Sequence, residues 1–324
     1  MTGYLIRSTG FVPGLTTADT QPSDRSLDPV RLQTTTSGRK DYPYQHVLCV
    51  PMIFERVFLP LDFSDQSDLM VDCIAQLKRY GAKEVILFYA VPKGRSADAY
   101  DERRMNEFAR VITADGIPTR TIKEAGDPAT MIIKVSKREK ATMIAMASTG
   151  KGRAKELLIG SVSIAVIRKS KIPVLLGKFP SFKKEGMREC GMLDSALVSF
   201  ELAHGTKQIT DIAQQMGDAG MRRATIFHVI HSSKHDVGDD LKFREVKTEL
   251  DRIMNGLKIP NCALETHIHF GTPSYNIMEA AREISAGVIV MGVRNKSLWR
   301  HIALGTTTED LIRQSPTNLL LVPC

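Results

Sequence analysis

Residues 126–147, GDPATMIIKVSKREKATMIAMA, return as residues 271–292, GTPSYNIMEAAREISAGVIVMG. Gly126 falls on Gly271, Pro128 on Pro273 and Met146 on Met291, and the apolar positions stay in phase. Each copy reads as a turn, a helix and a strand. Asp127 and Thr272 are N-cap residue types, each followed by proline at the first helical position, where a missing N–H costs nothing. The closing runs, TMIAMA and GVIVMG, are continuously apolar, as in a strand covered on both faces. Such a unit met twice decides the fold, because repetition has to be settled before any single motif is weighed.

Working outward, the same offset carries LLIGSVSIAVIRKSKIPVLLG (157–177) onto IALGTTTEDLIRQSPTNLLLV (302–322), pairing Gly160 with Gly305 and Ser161 with Thr306. Upstream, an offset of 139 lays RYGAKEVILFYAVP (79–92) on DAGMRRATIFHVIH (218–231). In the first copy the strand candidates are Arg56 to Leu61, Glu84 to Val91, Pro118 to Lys123, Thr142 to Met146 and Pro173 to Leu176, alternating with amphipathic helical segments. That alternation predicts an α/β fold of two tandem parallel sheets with right-handed crossovers. The expected division is a disordered tail at 1–53, rich in Thr, Ser, Asp and Pro, a first repeat at 54–180, a linker at 181–192 and a second repeat at 193–324. Met52, just ahead of the first strand, is read as an alternative start.

Length and composition agree. The 324 residues suffice for two domains, and 43% hydrophobic with 25% charged residues is ordinary for a globular protein. No run approaches 18 apolar residues and the N-terminus lacks a secretory pattern, which predicts a cytoplasmic protein without a membrane partner. The five cysteines (Cys49, Cys73, Cys190, Cys262, Cys324) form no C-x-x-C pair and are expected to be reduced thiols. The net charge of +8 is concentrated in 55–184, where 24 Lys and Arg face 15 Asp and Glu; 185–324 hold 15 against 17. The bases lie on solvated faces such as KVSKREK without interleaved aromatics, which argues against nucleic acid.

The loop after the fourth strand carries the chemistry. It reads Ala147-x2-Gly150-x9-Gly160-Ser161 in repeat one and Gly292-x2-Asn295-x9-Gly305-Thr306 in repeat two. Small residues at the mouth of a parallel strand let backbone N–H groups surround an anion, and the following helix offers its free N–H groups and dipole. Read alone, the pattern is either such a cradle or an empty loop. It matches neither the P-loop nor the dinucleotide fingerprint. Ser148, Thr149 and Ser161 have no His and Asp at motif spacing, so nucleophilic catalysis is not expected. His228, His231, His235, His267 and His269 lack a metal-ligand frame.

The doubled pattern, VFLPLDFSDQS at 57–67 and the G-x2-G-x9-G-[ST] signature together resemble the universal stress protein family, over residues 54 to 324. The resemblance implies five-stranded parallel sheets of order 3-2-1-4-5, with ATP, or AMP or ADP, bound where the order reverses, and Mg or Mn carried on the phosphates; it also implies that the final strands, within PVLLGK and TNLLLVP, join the halves as a pseudo-dimer. Open α/β sheets bind ligands at such switch points. Carried over, Pro60, Leu61 and Asp62 would line the adenine and ribose pocket, with Asp62 accepting from a ribose hydroxyl and Val91 bordering the base. Ala147, Gly150, Gly160, Ser161 and Val162 would hold the phosphates in repeat one, and Gly292, Asn295, Gly305, Thr306 and Thr307 in repeat two. Lys151, Arg153, Lys155, Arg294, Lys296 and Arg300 would be supplementary phosphate contacts.

Both repeats depart from the pattern. Ala147 replaces the first glycine in repeat one and Asn295 the second in repeat two. If the position of Ala147 demands positive φ, alanine costs on the order of 1 kcal/mol. Repeat two also sets Ser199 and Glu201 where Pro60 and Asp62 stand. Repeat one is therefore the better expected site. Asp62 has a rival role as a cap of the next helix. The resulting expectation is a regulatory, ATP-binding tandem protein with an unknown protein partner, homodimer formation being compatible with it. The alternatives are a nucleotide-free scaffold of the same fold and, behind it, a slow ATP-hydrolysing enzyme.

Overall fold

Among the described residues ten strands form one sheet. The computed structural model describes residues 52–148, 159–179, 191–202, 205–231, 239–294, 296–298 and 301–324. Nearly all of the expected tail and linker lies outside these residues, as do Gly150, Lys151, Arg153, Lys155, His235, Asn295 and Arg300.

The first half runs β1 (Arg56–Leu61), α1 (Asp65–Ala75), β2 (Glu84–Val91), α2 (Ala99–Ala114), β3 (Thr119–Ala125), α3 (Pro128–Arg138), β4 (Met143–Ala147), α4 (Ser161–Lys169) and β5 (Val174–Gly177). The second runs β6 (Ser195–Ser199), α5 (Thr206–Asp218), β7 (Arg223–Ile230), α6 (Asp239–Gly256), β8 (Ala263–Phe270), α7 (Pro273–Glu283) and β9 (Val288–Val293). It closes with a small hairpin, β10 (Lys296–Leu298) with β11 (His301–Ala303), then α8 (Thr306–Gln314) and β12 (Asn318–Pro323). The hairpin occupies a stretch read from sequence as part of a loop. Within each half the order is the expected 3-2-1-4-5, all parallel.

β1 and β2 coincide with the sequence reading and β4 lies one residue later at both ends, whereas β3 and β5, which run on one or two residues past their expected ends, begin one residue late. The cause is proline, which has no N–H to give the ladder. Pro118 and Pro173 contribute only carbonyls, to Val85 N–H at 2.9 Å and Ile144 N–H at 3.0 Å. Asp127 caps α3 as expected, accepting from Thr130 N–H at 2.9 Å, while Thr272 is the N-cap of α7 without a side-chain bond.

The halves join through β5 and β12, which pair antiparallel with Leu176 opposite Leu319, Leu175 opposite Leu320 and Val174 opposite Leu321. All six are fully buried. The seam is thus core, and both apolar layers continue across it. One face of the sheet is covered by α1 and α2 (Met70, Ile74, Met105, Ile112) together with α5 and α6 (Ile209, Met216, Leu250), in one cluster. The other is covered by α3 and α4 (Ile132, Val135, Val166) with α7 and α8 (Ile277, Leu311), again in one cluster. Helices on both faces explain the unbroken apolar runs of the central strands.

Cys73 on α1 is disulfide-bonded, which corrects the expectation of reduced thiols there; Cys262 and Cys324 are free. Among the described residues no helix is long and apolar enough to cross a membrane.

Candidate functional site

In repeat one the chain leaves β1 and β4 in opposite directions, to α1 on one face and α4 on the other, and a cleft opens beyond their carboxyl ends. It encloses about 550 Å³, within the range of small-molecule sites. Its walls come from β1 (Pro60, Leu61), the turn at Asp62, the end of β2 (Phe88, Tyr89, Ala90, Pro92), α3 (Pro128, Ile132), β4 (Met146, Ala147) and the start of α4 (Gly160, Ser161, Val162, Ser163). Apolar side chains line much of the interior, and its polar groups gather at three places, the turn at Asp62, Arg95 beyond β2 and the N-terminus of α4.

Of the residues expected in repeat one, Pro60, Leu61, Asp62, Ala147, Gly160, Ser161 and Val162 meet around this cleft. Val91 does not. It is 5% exposed, in the layer beneath α1 and α2, and Ala90 and Pro92 stand at the cleft instead. A strand covered on both faces carries no alternation, so EVILFYAV gave no sign of which parity faces which layer. Sequence reasoning also missed Ser67 and Arg95. Arg95 is tied to Asp98 at 2.5 Å and to the buried Asp101 at 3.2 Å; the Asp98 hydrogen bond and both carboxylates hold its guanidinium above its ordinary pKa. Burial, seconded by Asp101, pushes the Tyr89 phenol up.

The glycines at the start of α4 and α8 are informative because the protein itself does not require them. Gly160, the N-cap of α4, has φ −67° and ψ 145°, an extended conformation open to any residue, and no side chain caps the helix there. Among the described residues a Cβ on it would make only ordinary contacts, 3.7 Å to the Ser148 carbonyl and 3.8 Å to Ser163 Oγ. Gly305, the N-cap of α8, repeats this at φ −66° and ψ 152°, with no described atom within 4 Å. Ala147 closes β4 and is not among the positive-φ residues, so the backbone penalty considered for its methyl does not arise.

Asp62 is not the cap of α1. Ser64 is, accepting from Ser67 N–H at 3.3 Å. The Asp62 carboxylate braces that cap, its Oδ1 accepting from Ser64 N–H at 3.1 Å, Ser64 Oγ at 2.6 Å and Ser67 Oγ at 2.7 Å.

The corresponding cleft of repeat two is smaller, about 370 Å³, and Gly292, Gly305, Thr306 and Thr307 line it as expected. Its own side chains cross it. Glu201, one methylene longer than Asp62, pairs with Arg294 from the end of β9, so that arginine meets a carboxylate in the chain itself. Cys324 also lines this cleft, and a Cβ on Gly292 would meet its Sγ at 3.0 Å and Ile209 Cδ1 at 3.2 Å. Glycine at 292 therefore has a packing reason. His228 turns Nδ1 to the Phe200 carbonyl at 2.8 Å, and burial lowers its pKa. His267 and His269 stack with ring centroids 6.5 Å apart. Among the described residues no group of three or more His, Cys, Asp or Glu could hold a metal ion.

A family model described as the universal stress protein family matches residues 54–178 and again 207–323, more than half of the chain. A universal stress protein of Methanocaldococcus jannaschii is 24% identical over 156 residues, 39% of this chain and 96% of that protein. Universal stress protein G of Salmonella typhimurium is 30% identical over 78 residues, 24% of this chain and 54% of that one. Among solved structures, a universal stress protein from Archaeoglobus fulgidus matches with a TM-score of 0.66 at 27% identity, covering 83% of this chain and 98% of the other. A second, from Pseudomonas aeruginosa, has a TM-score of 0.62 at 14% identity, covers 83% of this chain and 93% of its own, and shares the fold alone.

Proposed function

The chain belongs to the universal stress protein family, and on that premise we propose that it binds an adenine nucleotide, ATP or its di- or monophosphate, in the cleft of repeat one and acts as a regulator through the occupancy of that site. The observation that carries this reading is Gly160. Neither its conformation nor its packing calls for glycine, while its Cα stands at the uncapped N-terminus of α4 and at the wall of the cleft. A phosphate group reaching the first N–H groups of a helix needs that bare approach. The apolar slot between Pro60, Phe88, Ala90, Ile132 and Met146 suits a flat base, and Asp62 at its rim suits the hydroxyls of the sugar.

Binding without fast turnover is the reading taken here; among the described residues the cleft lining holds no His, Cys or Lys. Magnesium or manganese would enter as the counter-ion of the phosphates. For repeat two, the Glu201–Arg294 pair and Cys324 within the cleft favour the other reading, a domain that supports the first without taking a nucleotide. A cytoplasmic setting and a protein partner that senses the occupied state belong to the same proposal.

The test is direct. Purified protein is denatured, the released small molecules are analysed for ATP, ADP and AMP, and the emptied protein is titrated with ATP by calorimetry. One nucleotide per chain is expected. Absence of both release and heat at millimolar ATP overturns the reading in favour of the scaffold.

A further inference from the structure

The turn that leads from β1 into α1 is built around one hydroxyl. Ser67, the third residue of α1, is only 5% exposed yet lines the cleft of repeat one. Its Oγ donates to Asp62 Oδ1 at 2.7 Å and accepts the Asp62 N–H at 3.3 Å, so it grips that residue by side chain and backbone together. Ser64 adds its own hydroxyl to the same carboxylate oxygen at 2.6 Å. Between them Phe63 takes a left-handed φ of 57° while its ring is buried against Tyr89, centroids 4.5 Å apart. The turn is thus anchored in the core on one side and hydrogen-bonded on the other. A carboxylate with two soft side-chain torsions is held in one orientation at the rim of the cleft.

Repeat two lacks this arrangement. Thr206, at the start of α5, sends its hydroxyl to the Leu202 carbonyl at 3.2 Å, and Glu201 turns to Arg294. The grip on the acid is a property of repeat one among the described residues.

We infer that Ser67 is a positioning residue that aims the Asp62 carboxylate at the hydroxyl pair of a ribose, and so makes the cleft of repeat one selective for ribonucleotides over 2′-deoxyribonucleotides. The inference rests on the reading of that cleft as an adenine-nucleotide site. An acceptor fixed before binding discriminates, because a ligand lacking the hydroxyl leaves it unpaired, whereas a rotating one turns back to water. Ser67 itself makes no ligand contact in this scheme; it acts through Asp62.

The experiment is a calorimetric titration of the full chain, and of its Ser67→Ala and Ser67→Cys variants, with ATP and with 2′-deoxy-ATP. The wild type is expected to prefer ATP by about tenfold, the worth of one well-placed hydrogen bond at a half-open site. In Ser67→Ala the affinity for ATP falls by about that factor while that for 2′-deoxy-ATP changes less than threefold, so the preference collapses. Ser67→Cys keeps the shape with a weaker donor and falls between. A merely structural serine would weaken both ligands alike and leave the ratio intact, which overturns the assignment while leaving the nucleotide reading in place. A cysteine variant with the full wild-type ratio overturns it too, whether or not the alanine variant folds. A wild type that binds neither ligand removes the nucleotide reading itself, and this inference with it.

Discussion

Replacing Gly160 with valine separates the ligand from the fold. The backbone there is extended, φ −67° and ψ 145°, and the nearest atoms to an added Cβ are 3.7 and 3.8 Å away. Valine is a poorer N-cap than glycine by about 1 kcal/mol, and the stiffer unfolded chain returns a comparable amount, so stability should change by no more than about 1 kcal/mol. Binding should change far more. Two branched methyls at the mouth of α4 would occupy the space through which a phosphate reaches the first helical N–H groups. Losing two charge-assisted hydrogen bonds at about 1.5–3 kcal/mol each weakens affinity by roughly two to four orders of magnitude. Calorimetry reads the affinity and differential scanning fluorimetry the melting temperature. The matching change in repeat two, Gly305→Val, meets no described atom within 4 Å and should leave ATP affinity unchanged and stability within the same limit of about 1 kcal/mol, since the Glu201–Arg294 pair and Cys324 stand in that cleft. If Gly160→Val binds ATP within threefold of wild type while folding normally, the phosphates do not lie at α4 and the site argument fails.

Three further outcomes are expected. Ala147→Gly should not improve ATP affinity by more than about threefold, because Ala147 needs no left-handed backbone, and urea unfolding should show a loss of about 0.5–1 kcal/mol from glycine in a strand. Gly292→Ala should destabilise by about 1–2 kcal/mol through the contacts at 3.0 and 3.2 Å with Cys324 and Ile209, and should quicken the reaction of Cys324 with a thiol reagent. Lys178, half-buried beside the seam with Nζ donating to the Ile312 carbonyl at 2.5 Å, is pushed by desolvation from 10.5 down to about 8. Its folded form therefore binds fewer protons than the unfolded chain between pH 8 and 10.5, so its contribution improves as pH rises through that window and is worst below it. Lys178→Met should accordingly raise the melting temperature at pH 7, the charge costing on the order of 2–3 kcal/mol there, with the gain shrinking toward pH 10; a gain that does not shrink with pH refutes the attribution to charge.

Part of the cleft's lining could be read before any coordinates. Pro60, Asp62, Gly160 and Ser161, carried over from the family resemblance, stand around one cleft because each sits at the end of a strand or the start of a helix. Val91 lies in the layer beneath α1 and α2, which an all-apolar strand hides because it shows no parity, and Ser67 was passed over because a serine inside a helix looks like surface until its burial is known. The cost assigned to Ala147 dissolved once its backbone was seen to be extended. The pairing of Glu201 with Arg294, and of Cys73 with another cysteine, joins residues whose types are ordinary and whose proximity no local pattern encodes.

The sequence by itself determined the doubled, parallel α/β unit, because apolar periodicity, capping chemistry and self-similarity are short-range or repeated signals, whereas the strand order within each half and the joining of the final strands were legible only through the family resemblance. The sequence already set repeat one ahead of repeat two; only the tertiary structure decided what stands in each cleft. In one, Ser64 and Ser67 fix an aspartate at an open pocket; in the other, an acid one methylene longer meets an arginine some ninety residues away and a cysteine enters the same space. Such closures depend on where side chains from distant segments converge, and that is set by packing and not by the order of residues along the chain.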